Sequence, residues 1–135
     1  MKPLSEWSER EWGWAAAALA ALVYLPALLN GFAYDDLPII EQNQMLRSFS
    51  QLGELLTSPY WPGERGPDFG LWRPTTSLVM AVVWQLSGGA AFAFHLANVA
   101  LHAGVTFMVV RVLGALLPVA AAGLAGAAFA IHPVH

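Results

Sequence analysis

The fold of this chain is decided by one uncharged stretch, WGWAAAALAALVYLPALLNGFAY, which occupies residues 12–34. A helix needs about 20 apolar residues to cross the hydrocarbon core of a bilayer, and residues 13–32 supply them. Aromatic residues typical of the membrane interface flank this segment: Trp12, Trp14 and Tyr34. The stretch therefore predicts a transmembrane helix, and the acidic pair Asp35-Asp36 follows it directly.

The composition indicates a membrane protein with one sizeable aqueous loop. Of the 135 residues, 57% are hydrophobic and 11% are charged, whereas a soluble domain carries about 25% charged residues. Charge is absent from residues 74–110 and 112–135 and is concentrated in residues 2–11 and 35–73. The net charge of −3 excludes a broad basic surface for nucleic acid. The absence of cysteine excludes disulfides and Cys-based zinc sites.

The N-terminal segment does not have the pattern of a secretory signal peptide. Residues 2–11, KPLSEWSERE, hold three glutamates against one lysine and one arginine. A secretory signal needs a positive N-terminal region and a small-residue cleavage site. We therefore interpret the first apolar segment as a retained transmembrane anchor.

Two further apolar segments predict spans at residues 92–113 and 116–131, so that an outer loop covers about residues 33–91. The last span is rich in Ala and Gly, which let helices approach closely in lipid. The apolar segment at 74–87 is too short to cross a bilayer, and we interpret it as a surface or re-entrant helix broken at the following glycines. The alternative is a span at 74–94, which would give four crossings.

The sequence thus predicts an all-α membrane protein with about three transmembrane helices and one or two interfacial helices in the outer loop. The other interfacial helix is predicted within residues 44–57, QMLRSFSQLGELLT, where apolar residues recur at near-helical spacing. With three spans, Asp35-Asp36 and the end of the last span face the same compartment; with four, they lie on opposite sides. Lys and Arg counts are balanced and do not decide the orientation.

The acidic pair Asp35-Asp36 is the first candidate functional feature. Two neighbouring carboxylates suit a general base or a ligand for a hard divalent cation. Capping or solvating a helix end is the common structural role of such a pair. Arg73, in Trp72-Arg73-Pro74, is the second candidate, because an interfacial Arg can bind phosphate through two hydrogen bonds. It can equally extend towards lipid headgroups.

Histidines supply the remaining candidates. His95, Asn98 and His102 lie on one face of the predicted second span, where polar side chains mark either a functional site or hydrogen bonds between helices. His95 is the better site candidate, because it is nearer the loop. His132 and His135 end the last span and could bind metal or mark the interface.

The polar motifs follow one another in a defined order: Tyr34-Asp35-Asp36, then Ile40 and Asn43, Trp72-Arg73-Pro74, Phe94-His95-Leu96-Ala97-Asn98, Leu101-His102-Ala103 and His132-Pro133-Val134-His135. This order resembles the N-terminal part of the C-type integral-membrane glycosyltransferases. Within them it is most similar to the protein O-mannosyltransferase-like group, whose members often carry tetratricopeptide repeats. The resemblance covers about residues 12–135.

The resemblance implies a mechanism and a set of site residues. Such enzymes move a sugar from a polyprenyl- or dolichyl-phosphate carrier to a protein or glycan acceptor, typically with inversion. It implies Asp35 or Asp36 as the base or as a metal ligand. Arg73 would hold the carrier phosphate, and His132 and His135 would line the same cavity. With His95, these are the candidate phosphate-binding residues.

The same resemblance sets the expected partners and location. The partners are a polyprenyl-phosphate-linked sugar, its acceptor and membrane lipids, with no nucleic acid. The cofactor stays unassigned, with a divalent cation held by Asp35-Asp36 as the candidate. We expect a multi-pass protein of the inner or plasma membrane with its active side outward. In the family the terminal motif continues into an acidic residue, so we expect this chain to be an inactive N-terminal piece of a longer protein.

Two other classes of function fit the same residues. A small membrane interaction or scaffold protein would use its His and Asn side chains only to hold helices together. A transporter fragment would use intramembrane histidine as a proton relay, with His102 lining a polar path.

Cysteine labelling distinguishes three spans from four, since the chain has no cysteine of its own. With three spans, Glu54→Cys and Val134→Cys should react with a membrane-impermeant maleimide from one side of intact vesicles, and Ser5→Cys from the other. Labelling of Val134→Cys from the same side as Ser5→Cys would instead establish four crossings.

Overall fold

The computed structural model describes residues 3–63, 68 and 70–132, and within them all regular secondary structure is helical. The α-helices are α1 (Glu9–Tyr24), α2 (Leu52–Thr57), α3 (Pro74–Ser87), α4 (Ala91–Gly114) and α5 (Val119–Ile131). The chain divides into two compact units. We call residues 1–28 with 96–135 the bundle unit and residues 29–95 the loop unit. The chain is an all-α membrane protein, as the sequence predicts.

The first apolar helix changes its hydrogen-bond pattern where proline enters. A capping box between Ser8 and Glu11 starts α1, because their side chains satisfy backbone N–H groups that the first turn leaves free. After Tyr24 the chain continues as a 3-10 helix over Leu25–Leu29, which contains Pro26. Proline has no N–H to continue the α-helical ladder. Together the two segments form 21 helical residues, enough to cross a bilayer.

The helices at the two later predicted spans differ in length. Helix α4 has 24 residues, or about 36 Å. Among the described residues, it and the first apolar helix are the two that are long and apolar enough to cross a membrane. Helix α5 has 13 residues, or about 20 Å. It starts after Pro118, whereas the predicted span starts at Leu116, because Leu116 and Leu117 lie in the turn that follows α4. A third crossing therefore stays a prediction.

Glycine allows the helices of the bundle unit to pack closely. A Cβ atom on Gly123 of α5 would collide with the Trp12 indole of α1, and one on Gly126 would collide with Val110 of α4. A Cβ atom on Gly13 would come 2.8 Å from the Phe107 ring. Close approach of backbones is what membrane helices use in place of a hydrophobic driving force.

The contacts of the bundle unit show that α1 and α5 are parallel. Trp12 and Gly123 meet near the two N-terminal ends, and at the other end the Tyr24 hydroxyl donates to the His132 carbonyl at 2.9 Å. Helix α4 is antiparallel to both, since Glu9 at the start of α1 lies 4.0 Å from Arg111 near the end of α4. The C-terminal ends of α1 and α5 thus lie at the same end of this bundle.

The loop unit confirms one predicted helix and corrects another. Helix α3 has the predicted bounds 74–87, because Pro74 suits a first helical turn and Gly88 ends it with a left-handed φ of 66°. Residues 44–57 do not form one helix. They are divided into Gln44–Arg47, Phe49–Gln51 and α2, because Ser48 is extended and its hydroxyl accepts from the Ser50 N–H.

Buried apolar side chains hold the loop unit together. They come from its first turns, from α2 and α3 and from the start of α4: Ile39, Ile40, Leu46, Leu55, Ala81 and Phe94. The Gln85 side chain of α3 donates to the Leu46 carbonyl at 3.1 Å. These contacts fix α3 against the segment that follows the acidic pair.

The glycine packing can be tested by adding volume at Gly126. Gly126→Leu should destabilise the bundle by about 1–3 kcal/mol, since overfilling a packed interface forces its neighbours apart. Unfolding in detergent micelles measures the change. Gly104→Leu is the matched control, because a Cβ there meets nothing within 4 Å. Equal stability of the two variants would contradict the packing described here.

Candidate functional site

The acidic pair lies in a tight turn at the start of the loop unit. Tyr34 has a φ of 48°, which is uncommon for a residue other than glycine. The Asp36 N–H donates to the Ala33 carbonyl at 3.0 Å, and the Asp36 carboxylate accepts from the Ala33 N–H at 3.3 Å. The two carboxylates therefore differ: Asp36 is half-buried and stabilises the turn, whereas Asp35 is exposed.

The first turn of α4 contacts the chain just ahead of this turn. The Phe94 ring packs edge-on against Phe32 at 5.4 Å between centroids. The His95 Nε2 atom lies 3.4 Å from the Gly31 carbonyl, four residues before Asp35. His95 is thus placed beside the segment that carries the acidic pair.

A backbone hydrogen bond closes the loop that leads to Arg73. The Tyr60 N–H donates to the Leu71 carbonyl at 2.8 Å, which brings Tyr60 next to the residues that precede α3. The Arg73 guanidinium carbon then lies 5.0 Å from the centroid of the Tyr60 ring, a cation–π distance. The neighbouring Trp72 indole donates to the Leu56 carbonyl at 2.9 Å, so this segment is fixed on both sides.

The electrostatics around Tyr60 link the arginine to the acidic pair. Burial raises the pKa of the Tyr60 hydroxyl above 10.0, the positive charge of Arg73 opposes this rise, and the charges of Asp36 and Asp35 add to it. Tyr60 therefore lies within electrostatic range of all three predicted site residues. Tyr60 is not among the site residues that the sequence predicts. Its only local signal is a pair of aromatic residues between Pro59 and Pro62.

An open cleft of about 390 Å³ lies beside Trp72. Residues on either side of the loop closure line it: Thr57, Pro59, Gly70, Leu71 and Trp72. This volume is within the usual range of small-molecule sites. Trp72, the last of these lining residues, directly precedes Arg73 in the sequence.

The remaining histidines belong to the bundle unit. The His102 Nε2 atom lies 3.2 Å from the Ala130 carbonyl, and its ring meets Tyr24 edge-on at 5.0 Å. His102 thus connects α4 to α1 and α5, the helix-packing role that the sequence analysis left open. Asn98 is exposed, and so is His132. His135 lies outside the described residues.

A complete metal site is not formed by the residues that the structure describes. Among them no group of three or more His, Asp or Glu side chains could hold a metal ion. Asp35 and Asp36 supply two carboxylates, whereas Mg²⁺ or Ca²⁺ takes six or more ligands. Mg²⁺ commonly takes one or two carboxylates together with waters and substrate phosphates, so Asp35 and Asp36 would supply only part of its ligands.

Curated proteins with a similar sequence carry one activity in their names. Residues of this chain align with protein O-mannosyl-transferase Tmtc1 of Drosophila melanogaster at 37% identity over 122 residues, 88% of this chain and 14% of that protein. Protein O-mannosyl-transferase TMTC2 of Mus musculus is 31% identical over 123 residues, 89% of this chain and 15% of that protein. The chain is a homologue of the protein O-mannosyl-transferases. The resemblance described in the sequence is thereby confirmed.

The match covers a limited part of these O-mannosyl-transferases. TMTC4 of Homo sapiens is 29% identical over an alignment of 142 positions, which covers 92% of this chain and 19% of that protein. The chain spans about one seventh of the length of Tmtc1 and Tmtc2, the Drosophila relatives it matches. No family model matches the chain, and no solved structure matches it significantly.

The charges around Tyr60 can be tested by titration. Arg73→Gln should raise the pKa of Tyr60 further, because it removes a charge that favours the phenolate, and Asp36→Asn should lower it. Ultraviolet absorbance of tyrosinate measures both, with Tyr60→Phe assigning the signal. Arg47→Gln is the control, since Arg47 lies over Trp84 at 5.2 Å.

The same shift makes stability depend on pH. The folded chain holds the Tyr60 proton more tightly than the unfolded chain, so this contribution is constant below 10.0 and is lost as the pH rises through the raised pKa. If neither Arg73→Gln nor Asp36→Asn changed the pKa of Tyr60, the three groups would not lie together.

Proposed function

We propose that this chain forms part of a membrane glycosyltransferase that moves a sugar from a polyprenyl-phosphate carrier to a protein or glycan acceptor at the outer face of the membrane. One observation carries the proposal: the Arg73 guanidinium carbon lies 5.0 Å from the Tyr60 ring, and the pKa of the same Tyr60 is raised by the charges of Asp36 and Asp35. Transfer from a glycosyl phosphate is favoured by a carboxylate that takes the acceptor proton and a nearby cation that stabilises the leaving phosphate. The names of the similar proteins support the transfer of a sugar to protein.

The chemistry assigns different roles to the carboxylates and to the arginine. An acceptor hydroxyl attacks the anomeric carbon of the sugar while the bond from that carbon to the phosphate oxygen breaks. A carboxylate takes the proton of the hydroxyl as general base. The phosphate leaves with increased negative charge, which the Arg73 guanidinium stabilises. Attack opposite the leaving group inverts the anomeric configuration.

The local hydrogen bonds favour Asp35 over Asp36 as the base. The Asp36 carboxylate accepts a backbone N–H and holds the turn. The Asp35 carboxylate is exposed and accepts no hydrogen bond from the described residues. Asp35 can therefore meet an acceptor hydroxyl without loss of the turn, whereas Asp36 positions it.

The helix directions in the bundle unit agree with an active side at one membrane face. The C-terminal ends of α1 and α5 lie together, as the hydrogen bond from Tyr24 to His132 requires. In a three-span protein this end faces the compartment that receives the acidic pair. A multi-pass protein with the acidic pair and His132 on the outer side is the arrangement we propose.

A scaffold without chemistry is the second candidate, and one observation favours it. His102 is bonded to the Ala130 carbonyl and packs on aromatic rings, so an intramembrane polar side chain serves helix packing. The same contacts argue against His102 as a proton relay in a transporter. The loop unit separates the two candidates, because a scaffold has no need of Asp35 or Arg73.

The proposal is tested by measuring the rate of sugar transfer with the full-length protein. With a polyprenyl-phosphate-linked mannose donor, Asp35→Asn should lower the transfer rate by roughly 10²–10⁴-fold, the usual contribution of a general base. Arg73→Gln should lower it by about 10²-fold, because it removes charge stabilisation of the leaving phosphate. Glu54→Gln, at an exposed carboxylate of α2, should leave it unchanged. Transfer that survives both Asp35→Asn and Arg73→Gln would favour the scaffold.

A further inference from the structure

Arg73 carries its charge without an ionic partner among the described residues. It is exposed, and no carboxylate of this part of the chain forms an ion pair with it. An unrestrained Arg side chain samples many rotamers, and the loss of this conformational entropy opposes binding. A phosphate site built on Arg73 therefore needs something that holds the guanidinium in place before the phosphate arrives.

The Tyr60 ring is in a position to do this. Its backbone N–H is bonded to the Leu71 carbonyl, its side chain is half-buried, and the Arg73 guanidinium carbon lies 5.0 Å from its centroid. A cation–π contact uses the flat face of the guanidinium. One guanidinium N–H also interacts with the Tyr60 hydroxyl and opposes the rise of its pKa, and the other N–H donors are available for phosphate oxygens.

We propose that Tyr60 is a positioning residue, which holds the Arg73 guanidinium on its ring face so that the N–H edge can bind the phosphate of a polyprenyl-phosphate-linked sugar. The inference rests on the proposed function for its ligand. It adds a residue outside the set that the sequence predicts.

Binding of polyprenyl phosphate to the detergent-solubilised chain tests this without catalysis. Tyr60→Phe keeps the ring but removes the hydroxyl that also interacts with Arg73, so it should bind more tightly than Tyr60→Leu. Tyr60→Leu removes the ring and should weaken binding about two- to fivefold, the size of an exposed cation–π contact. Arg73→Gln should weaken it by about tenfold or more. Polyprenol, which lacks the phosphate, should bind all four proteins alike.

A matched control comes from the second cation–π pair of the loop unit. The Arg47 guanidinium carbon lies 5.2 Å from the centroid of the Trp84 ring, so Arg47→Gln removes a cation of the same kind at a different place. It should leave phosphate binding unchanged. If Arg47→Gln weakens binding as much as Arg73→Gln, the phosphate senses only overall charge, and the proposal is wrong.

A spectroscopic readout separates positioning from a merely structural role. A phosphate held at Arg73 adds negative charge beside Tyr60, so polyprenyl phosphate should raise the pKa of Tyr60 in the unsubstituted chain and in Arg47→Gln, but not in Arg73→Gln. If Arg73→Gln weakened phosphate binding but Tyr60→Leu bound as tightly as the unsubstituted chain, the role of Tyr60 would be overturned and the proposed function would stand. Failure of the unsubstituted chain to prefer polyprenyl phosphate over polyprenol would overturn both.

Discussion

The bundle unit depends on the close approach of α5 to its two partner helices. In lipid the side chains gain little by leaving the solvent, so helices associate through packing and hydrogen bonds. Gly123 admits the Trp12 indole, and Gly126 admits Val110. Larger side chains at these glycines would separate α5 from α1 and α4. The hydrogen bond from Tyr24 to His132 would then be lost.

The candidate site depends on one long-range backbone bond, from Tyr60 to the carbonyl of Leu71. This bond brings an aromatic ring to the residue that precedes α3, where Arg73 carries its charge. The nearby carboxylates and the guanidinium then act on the hydroxyl of this half-buried ring in opposite directions. A loop without this closure would leave Arg73 as an ordinary interfacial cation.

Local patterns predict some elements well and others poorly. The bounds of α3 follow from a proline at its first residue and two glycines after its last. These signals act within one helical turn. The segment 44–57 has helical spacing but is divided, because the Ser48 hydroxyl offers the backbone an alternative hydrogen bond. Helix α5 begins after Pro118 instead of Leu116, since the end of α4 continues into a turn there.

The sequence by itself determined the helical membrane class, the acidic pair after the first span and Arg73 before α3, because charge and hydrophobicity are local properties of the chain. It also identified the relationship to the O-mannosyl-transferases, which the similar proteins confirm. Only the tertiary structure decided which carboxylate holds the turn, that His102 packs helices, and that Tyr60 lies with Arg73. His102 and Tyr60 contact residues that are distant in the chain, and the turn held by Asp36 depends on a backbone conformation of Tyr34 that its residue type does not predict.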